Sequence, residues 1–246
     1  MAEDRVAFIV AGVQKGGTTA LFGYLGEEPG VSLSREKEVH FFDDETQDWP
    51  QPDYGAYHAN FVPFDGRPRG EATPIYLYWP NSLERIAAYN PAMKLIVMLR
   101  DPVARAWSHW KMEYARGVET RPFAWCIREG RQRLFAGQPW GFDREISYVE
   151  RGFYGEQMAR LLDLFPREQV LVLRAEDLRA DRAATLAQVR SFLGLAQSAS
   201  PAPREANVGR EMDYGSELTD TDVAHLRGVY ARDLARLADL TGVRFG

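Results

Sequence analysis

The chain has 246 residues, 45% hydrophobic and 26% charged, with a formal net charge of −5, which fits one large α/β domain with a core that needs no covalent staples. The acidic balance argues against a nucleic-acid binder, which carries a basic face, and a single cysteine, Cys126, excludes an internal disulfide or a thiolate metal cluster. An acidic start runs into an apolar stretch too short for a signal peptide or anchor, so a cytoplasmic chain without membrane insertion is expected.

In chain order, Arg5 to Val10 reads as a buried strand ending at Gly12, followed by the turn Gln14-Lys-Gly-Gly-Thr-Thr19 and a helix from Ala20 to Glu27. Val39 to Phe42 is a candidate short strand. The stretch from Asp48 to Arg69 is rich in Pro, Gly, Asp and aromatics and reads as irregular. Ser82 to Tyr89 is a short helix and Lys94 to Leu99, KLIVML, a strand. Pro102, at a first helical position, opens a helix to about Arg116. Further helices are predicted over Pro122 to Phe135, Gly155 to Phe165, Asp181 to Leu193 with Gly194 after it, and Thr219 to Leu240. Gln169 to Leu173 is a strand, and Gln197 to Glu217 a long polar loop. Apolar strands separated by helices imply a parallel central sheet with helices on both faces, one domain over residues 1–246.

The turn after the first strand is built for an anion. Gly16 and Gly17 let backbone N–H groups face a ligand, the helix start adds its positive dipole end, and Lys15, Thr18 and Thr19 add charge and hydroxyls. The lysine precedes the glycine pair, so the GxxxxGK[ST] nucleotide loop fails, and no acidic residue ends a strand to hold magnesium.

The segment AGVQKGGTTALFGYL, then REKEVHFFD, then LIVMLRDPVARAWSHW, resembles the sulfotransferases that use 3′-phosphoadenosine-5′-phosphosulfate (PAPS), especially the heparan sulfate glucosaminyl branch and its bacterial relatives. The resemblance runs from Val6 to about Leu195. It implies a P-loop-like nucleotide-binding sulfotransferase fold, PAPS as donor substrate and 3′-phosphoadenosine-5′-phosphate (PAP) as product, with no metal. It assigns Lys15 to the bridging and leaving oxygens, Gly16, Gly17, Thr18 and Thr19 to the 5′-phosphate, and Arg100 and Ser108 to the 3′-phosphate. Arg151 and Tyr154 are implied nucleotide contacts, and Gly209 with Arg210 an implied substitute for a Lys-Gly-Arg phosphate contact of the relatives. Glu38 matches the relatives' proposed general base, with His40 the alternative and Asp43 positioning one of them. If residues 38–42 form a strand, Glu38 and His40 share a face. The relatives' lysine after the glutamate in the segment matching Gly70 to Pro74 is replaced by Ala72.

The expected reaction is in-line displacement at sulfur, governed by positioning and charge stabilisation. The expected acceptor is a small-molecule or carbohydrate hydroxyl, as in secondary metabolism or carbohydrate sulfation. Loop aromatics Trp49, Tyr54, Tyr57, Phe61 and Phe64, and Trp107, Trp110 and Trp140, are candidates to stack on it or to fill the core. Two alternatives are an ATP-dependent phosphotransferase and a non-catalytic nucleotide-binding module. Oligomeric state is not legible.

Overall fold

The first apolar run continues through Gly12, and every residue of it except Ala7 is buried. A strand buried on both faces belongs in the middle of a parallel sheet. The computed structural model describes residues 4–137, 141–197, 202 and 212–245. Its elements in chain order are β1 (Val6–Gly12), α1 (Thr18–Leu25), β2 (Ser32–Leu33), α2 (Tyr54–His58), β3 (Arg69–Ala72), α3 (Ser82–Tyr89), β4 (Lys94–Leu99), α4 (Pro102–Ala115), α5 (Phe123–Cys126), α6 (Tyr154–Leu164), β5 (Val170–Arg174), α7 (Ala175–Ala180), α8 (Arg182–Leu193) and α9 (Asp220–Thr241), with short 3-10 turns between some of them. By internal contacts they form two compact units. One draws on Met1–Leu99 and Leu161–Arg204, the other on Arg100–Arg160 and Glu205–Gly246.

The first unit holds a five-stranded sheet in the order β2-β3-β1-β4-β5, every pair parallel. Phe8, Val10, Ile96 and Met98 point to one face, where α1 brings Leu21 and Leu25 and α8 brings Leu186 and Val189. Ile9, Leu95 and Val97, on the other face, are equally buried. Gly70 sits under the Phe8 ring, whose nearest carbon would lie 2.0 Å from an added Cβ, so β3 approaches β1 only through a glycine. The α8 helix is capped by Asp181, whose carboxylate accepts from Ala184 N, and ends at Gly194 with φ 76°. β1 lies between β3 and β4; the connection from β1 runs to one side, to β2, and that from β4 to the other, to β5. The loop after β1 therefore occupies the switch point of the sheet, where open α/β folds bind ligands.

The second unit is helical. Pro102 opens α4 while Asp101 caps it by accepting from Ala104 N at 2.9 Å. Thr219 caps α9 in a reciprocal box with Asp222. Val103, Ala106, Trp110, Phe123, Ile127, Tyr148, Leu226 and Tyr230 form its core.

Three expectations are corrected. Val39 to Phe42 is not a strand, because His40 within it and Glu38 just before it have left-handed backbone, with φ 56° and 67°. The helix expected from Pro122 to Phe135 is only α5 followed by a 3-10 turn, Glu129–Ala136. Asp48 to Arg69 contains α2 and the first residue of β3. β2, β3 and α7, too short for a periodic signal, went unpredicted.

Candidate active site

The loop after β1 closes by backbone contacts. Val13 N donates to Met98 O at 3.0 Å, tying it to the neighbouring β4, and Gly16 N donates to Val13 O at 2.9 Å. A Cβ on Gly16 would stand 2.2 Å from Met98 O and 2.8 Å from Val13 O, which no side chain survives. Gly17, in the left-handed region at φ 94°, is the N-cap of α1 without a side-chain cap, so the first amides of the helix face the loop uncovered by any side chain of their own. Thr18 is buried, Thr19 exposed and Lys15 half-buried at φ 66°. A helix start without a side-chain cap, with a lysine and two threonines next to it in the chain, fits a phosphate or sulfate group.

The second element is the turn over residues 38–43. Glu38 N donates to Ala72 O at 3.0 Å, and Ala72 pairs in register with Val10. The turn thus hangs from the carboxyl end of β3, beside the strand that carries the anion loop. His40 Nδ1 donates to the fully buried carboxylate of Asp43 at 2.9 Å, while its Nε2 lies 3.6 Å from Glu38 Oε2. Lys37 pairs with the other Glu38 oxygen. The Asp43 hydrogen bond first, and Glu38 second, raise the His40 pKa to about 9 against the opposing effect of burial. His40, then Lys37, hold the Glu38 carboxyl down at about 2. At neutral pH Glu38 is therefore an anion and His40 a cation. Both are half-exposed. The structure brings Glu38, His40 and Asp43 together, but through two left-handed residues rather than strand alternation.

Sequence reading missed what lies under this turn. Glu71 on β3 is fully buried, accepting from Tyr57 Oη at 2.8 Å, Thr73 Oγ1 at 2.6 Å and Tyr76 Oη at 3.3 Å. Burial outweighs these hydroxyls and lifts its pKa to about 7. An acidic residue in a short strand between small residues was the only available signal. Ala72, where the relatives' lysine was expected, is fully buried. The aromatics proposed to stack on an acceptor mostly fill this region instead: Tyr57 and Phe61 are buried, Phe41 stacks on Tyr57 at 4.8 Å, and Arg85 covers Trp49 at 4.0 Å.

In the second unit Arg100 is half-buried, and its carbonyl accepts from Tyr154 Oη at 2.9 Å. Asp101 caps α4 and pairs with Arg227 at 2.5 Å. Ser108 is half-buried on α4, two turns into the helix. Tyr154 is fully buried, and Arg151 is 2% exposed with its guanidinium on Ser147 Oγ and Arg144 O, so both side chains lie within the core of their unit. Trp110 is likewise core, stacked on Trp107 at 5.0 Å. Gly209, Arg210 and Trp140 lie outside the described residues. Among those described, no cluster of three or more His, Cys, Asp or Glu could hold a metal, and no helix is long and apolar enough to cross a membrane.

The comparisons agree with this geometry. The family model described as the sulfotransferase domain matches residues 5–208. The human protein named heparan sulfate glucosamine 3-O-sulfotransferase 3B1 is 35% identical over 191 residues, covering 76% of this chain and 45% of its own length. The human bifunctional heparan sulfate N-deacetylase/N-sulfotransferase 2 is 27% identical over 203 residues, covering 78% of this chain and 22% of its own. The chain thus spans less than half the length of these curated relatives. A crystal structure of a sulfotransferase from Alicyclobacillus acidocaldarius superposes with a TM-score of 0.82 at 27% identity, covering 98% of this chain and 97% of that one. With an anion-fitted loop at the switch point of a parallel sheet and a family match over most of its length, the chain belongs to the sulfotransferase domain family.

Proposed function

We propose that the chain transfers a sulfonate group from PAPS to a hydroxyl of a carbohydrate, glycosylated or small-molecule acceptor. The observation that carries this reading is the placement of two opposite chemistries on neighbouring strands: the anion cradle after β1 and an ionised carboxylate hanging from the end of β3. Parallel strands end on the same edge of a sheet, so both elements face the same ligand crevice.

The donor supplies an electrophilic sulfur and a phosphate leaving group. Backbone amides of Gly17, Thr18 and Thr19, with the hydroxyls of Thr18 and Thr19, hold the 5′-phosphate, while Gly16, whose own amide is used on Val13 O, shapes the turn, and Lys15 stabilises the charge that gathers on the leaving oxygen. Arg100 and Ser108 are assigned to the 3′-phosphate on the strength of the sequence resemblance. As the acceptor oxygen bonds to sulfur and the sulfur–oxygen bond to the phosphate breaks, the hydroxyl proton passes to Glu38. A carboxylate is a weak base for an alcohol, so the transfer accompanies bond formation, when the hydroxyl has become acidic. His40 already carries its proton at neutral pH, which favours Glu38 as the acceptor of this one and His40 as the cation that orients it. Lys37 supplies positive charge beside Glu38, in place of the lysine that Ala72 replaces.

Calorimetric titration with PAP, against ATP plus magnesium, tests the reading. Micromolar PAP binding that weakens with Lys15→Ala and Arg100→Ala is expected. Binding of ATP without PAP would move the phosphotransferase alternative to first place.

A further inference from the structure

Two features of the turn over residues 38–43 call for a cause. Its two left-handed residues are not glycine, and its Asp43 carboxylate is fully buried. Non-glycine residues leave this conformation when nothing holds them. The hold is visible just beyond His40, where the backbone of Phe41 and Phe42 is gripped on both sides. Phe41 N and Phe42 N donate to Tyr76 Oη at 3.0 and 3.4 Å, and Phe42 O accepts from Ser82 Oγ at 3.2 Å and Arg85 Nη1 at 2.9 Å. Tyr76 is fully buried, and its hydroxyl proton goes to Glu71 Oε1, so the oxygen that accepts from the turn has its orientation set from below. Glu71 is itself aimed by Tyr57 and Thr73.

We propose that Tyr76, oriented by Glu71, is a positioning residue for the Glu38–His40–Asp43 turn: its hydroxyl holds the Phe41 amide so that His40 bridges Glu38 and Asp43. The proposal rests on the reading of Glu38 as proton acceptor, but its test does not. Among the described residues, the charged and titratable groups that act on His40 include Asp43 and Glu38, which contact it, Lys37, which reaches it through Glu38, and Glu71, which acts on Asp43 from beneath.

The test is NMR titration of the histidine ring resonances of the full chain, the His40 signal being assigned by its loss in His40→Ala. The wild-type ring is expected to titrate at about 9. Tyr76→Phe keeps the ring packing and removes the one oxygen, and should lower this by more than about one unit, towards the free value near 6.5. Glu71→Gln still accepts from Tyr76 and should leave the titration in place. A folded Tyr76→Phe with an unmoved His40 overturns the proposal. So does a Glu71→Gln shift as large as that of Tyr76→Phe, because the carboxyl would then act by charge rather than by position. If Tyr76→Phe does not fold, Ser82→Ala loosens the same dipeptide from its carbonyl side and carries the same expectation and the same refutation. Turnover of Glu38→Gln separately decides the proton acceptor: full activity there removes Glu38 from its role without touching the His40 result.

Discussion

The anion loop and the Glu38 turn stand on adjacent strands and both use left-handed backbone, yet they reach it by opposite routes. The loop after β1 is local. Its contacts run between residues a few positions apart and to the neighbouring strand, and glycines occupy the place where a side chain would clash, Gly16, and the place of largest positive φ, Gly17, with Lys15 its one left-handed residue that is not glycine. The turn is imposed from outside. Glu38 and His40 are held by the Ala72 carbonyl, the Tyr76 hydroxyl and the burial of Phe41, Phe42 and Asp43. A left-handed non-glycine residue costs roughly 1–2 kcal/mol, and that cost is offset by packing residues distant in the chain. A loop written largely in the local sequence therefore lies beside a turn written in the tertiary structure.

The largest effect should come from breaking the local element. Gly16→Ala places a methyl against the Met98 carbonyl, so the loop cannot close. A loss of roughly 4 kcal/mol or more is expected, about three decades in PAP affinity by calorimetry, with a lowered melting temperature. Retained PAP affinity would show the cradle to be more plastic than its contacts imply. Glu38→Gln should instead leave PAP affinity within about twofold and cut turnover by roughly 10²–10⁴-fold, the span of general-base catalysis. Loss of PAP binding in that variant would mean that the two elements are not separable.

Stability against pH sharpens the comparison within the turn. Burial raises the Glu71 pKa to about 7, above its unfolded value near 4.5, so ionisation opposes folding. The penalty is absent below about pH 4.5 and complete above pH 7, and Glu71→Gln should raise stability there by on the order of 2–3 kcal/mol, read by thermal melting. His40 contributes with the opposite sign. Its folded pKa of about 9 exceeds the unfolded 6.5, so its charge stabilises the fold below about pH 6.5 and that contribution fades as pH passes 9. At this half-exposed site the effect is screened to about 1 kcal/mol, roughly 2–4 °C lost by His40→Gln at pH 6 and nothing at pH 10. Equal losses at both pH values would show that the ring acts through packing alone.

Much of this was legible in the chain itself. Continuous apolar runs marked β1, β4 and β5; β1 and β4 are buried on both faces and need no polar alternation, and the apolar run of the half-buried edge strand β5 was read in the same way. Asp101-Pro102, Asp181, Gly194 and Thr219 marked helix ends, because capping is settled by the side chain at one position. Gly16-Gly17 before a helix marked the tight turn and the open helix start after β1 for the same reason. What the chain alone did not decide is which polar residues are buried and what shape the 38–43 turn takes. Glu71 looks like any strand carboxylate until Tyr57, Thr73 and Tyr76 close over it, and Tyr57 looks like a stacking platform until Phe41 and Phe42 take its faces. Short-range rules govern φ, capping and periodicity, whereas burial and the left-handed backbone at Glu38 and His40 are set by partners far along the chain, which only the tertiary fold assembles.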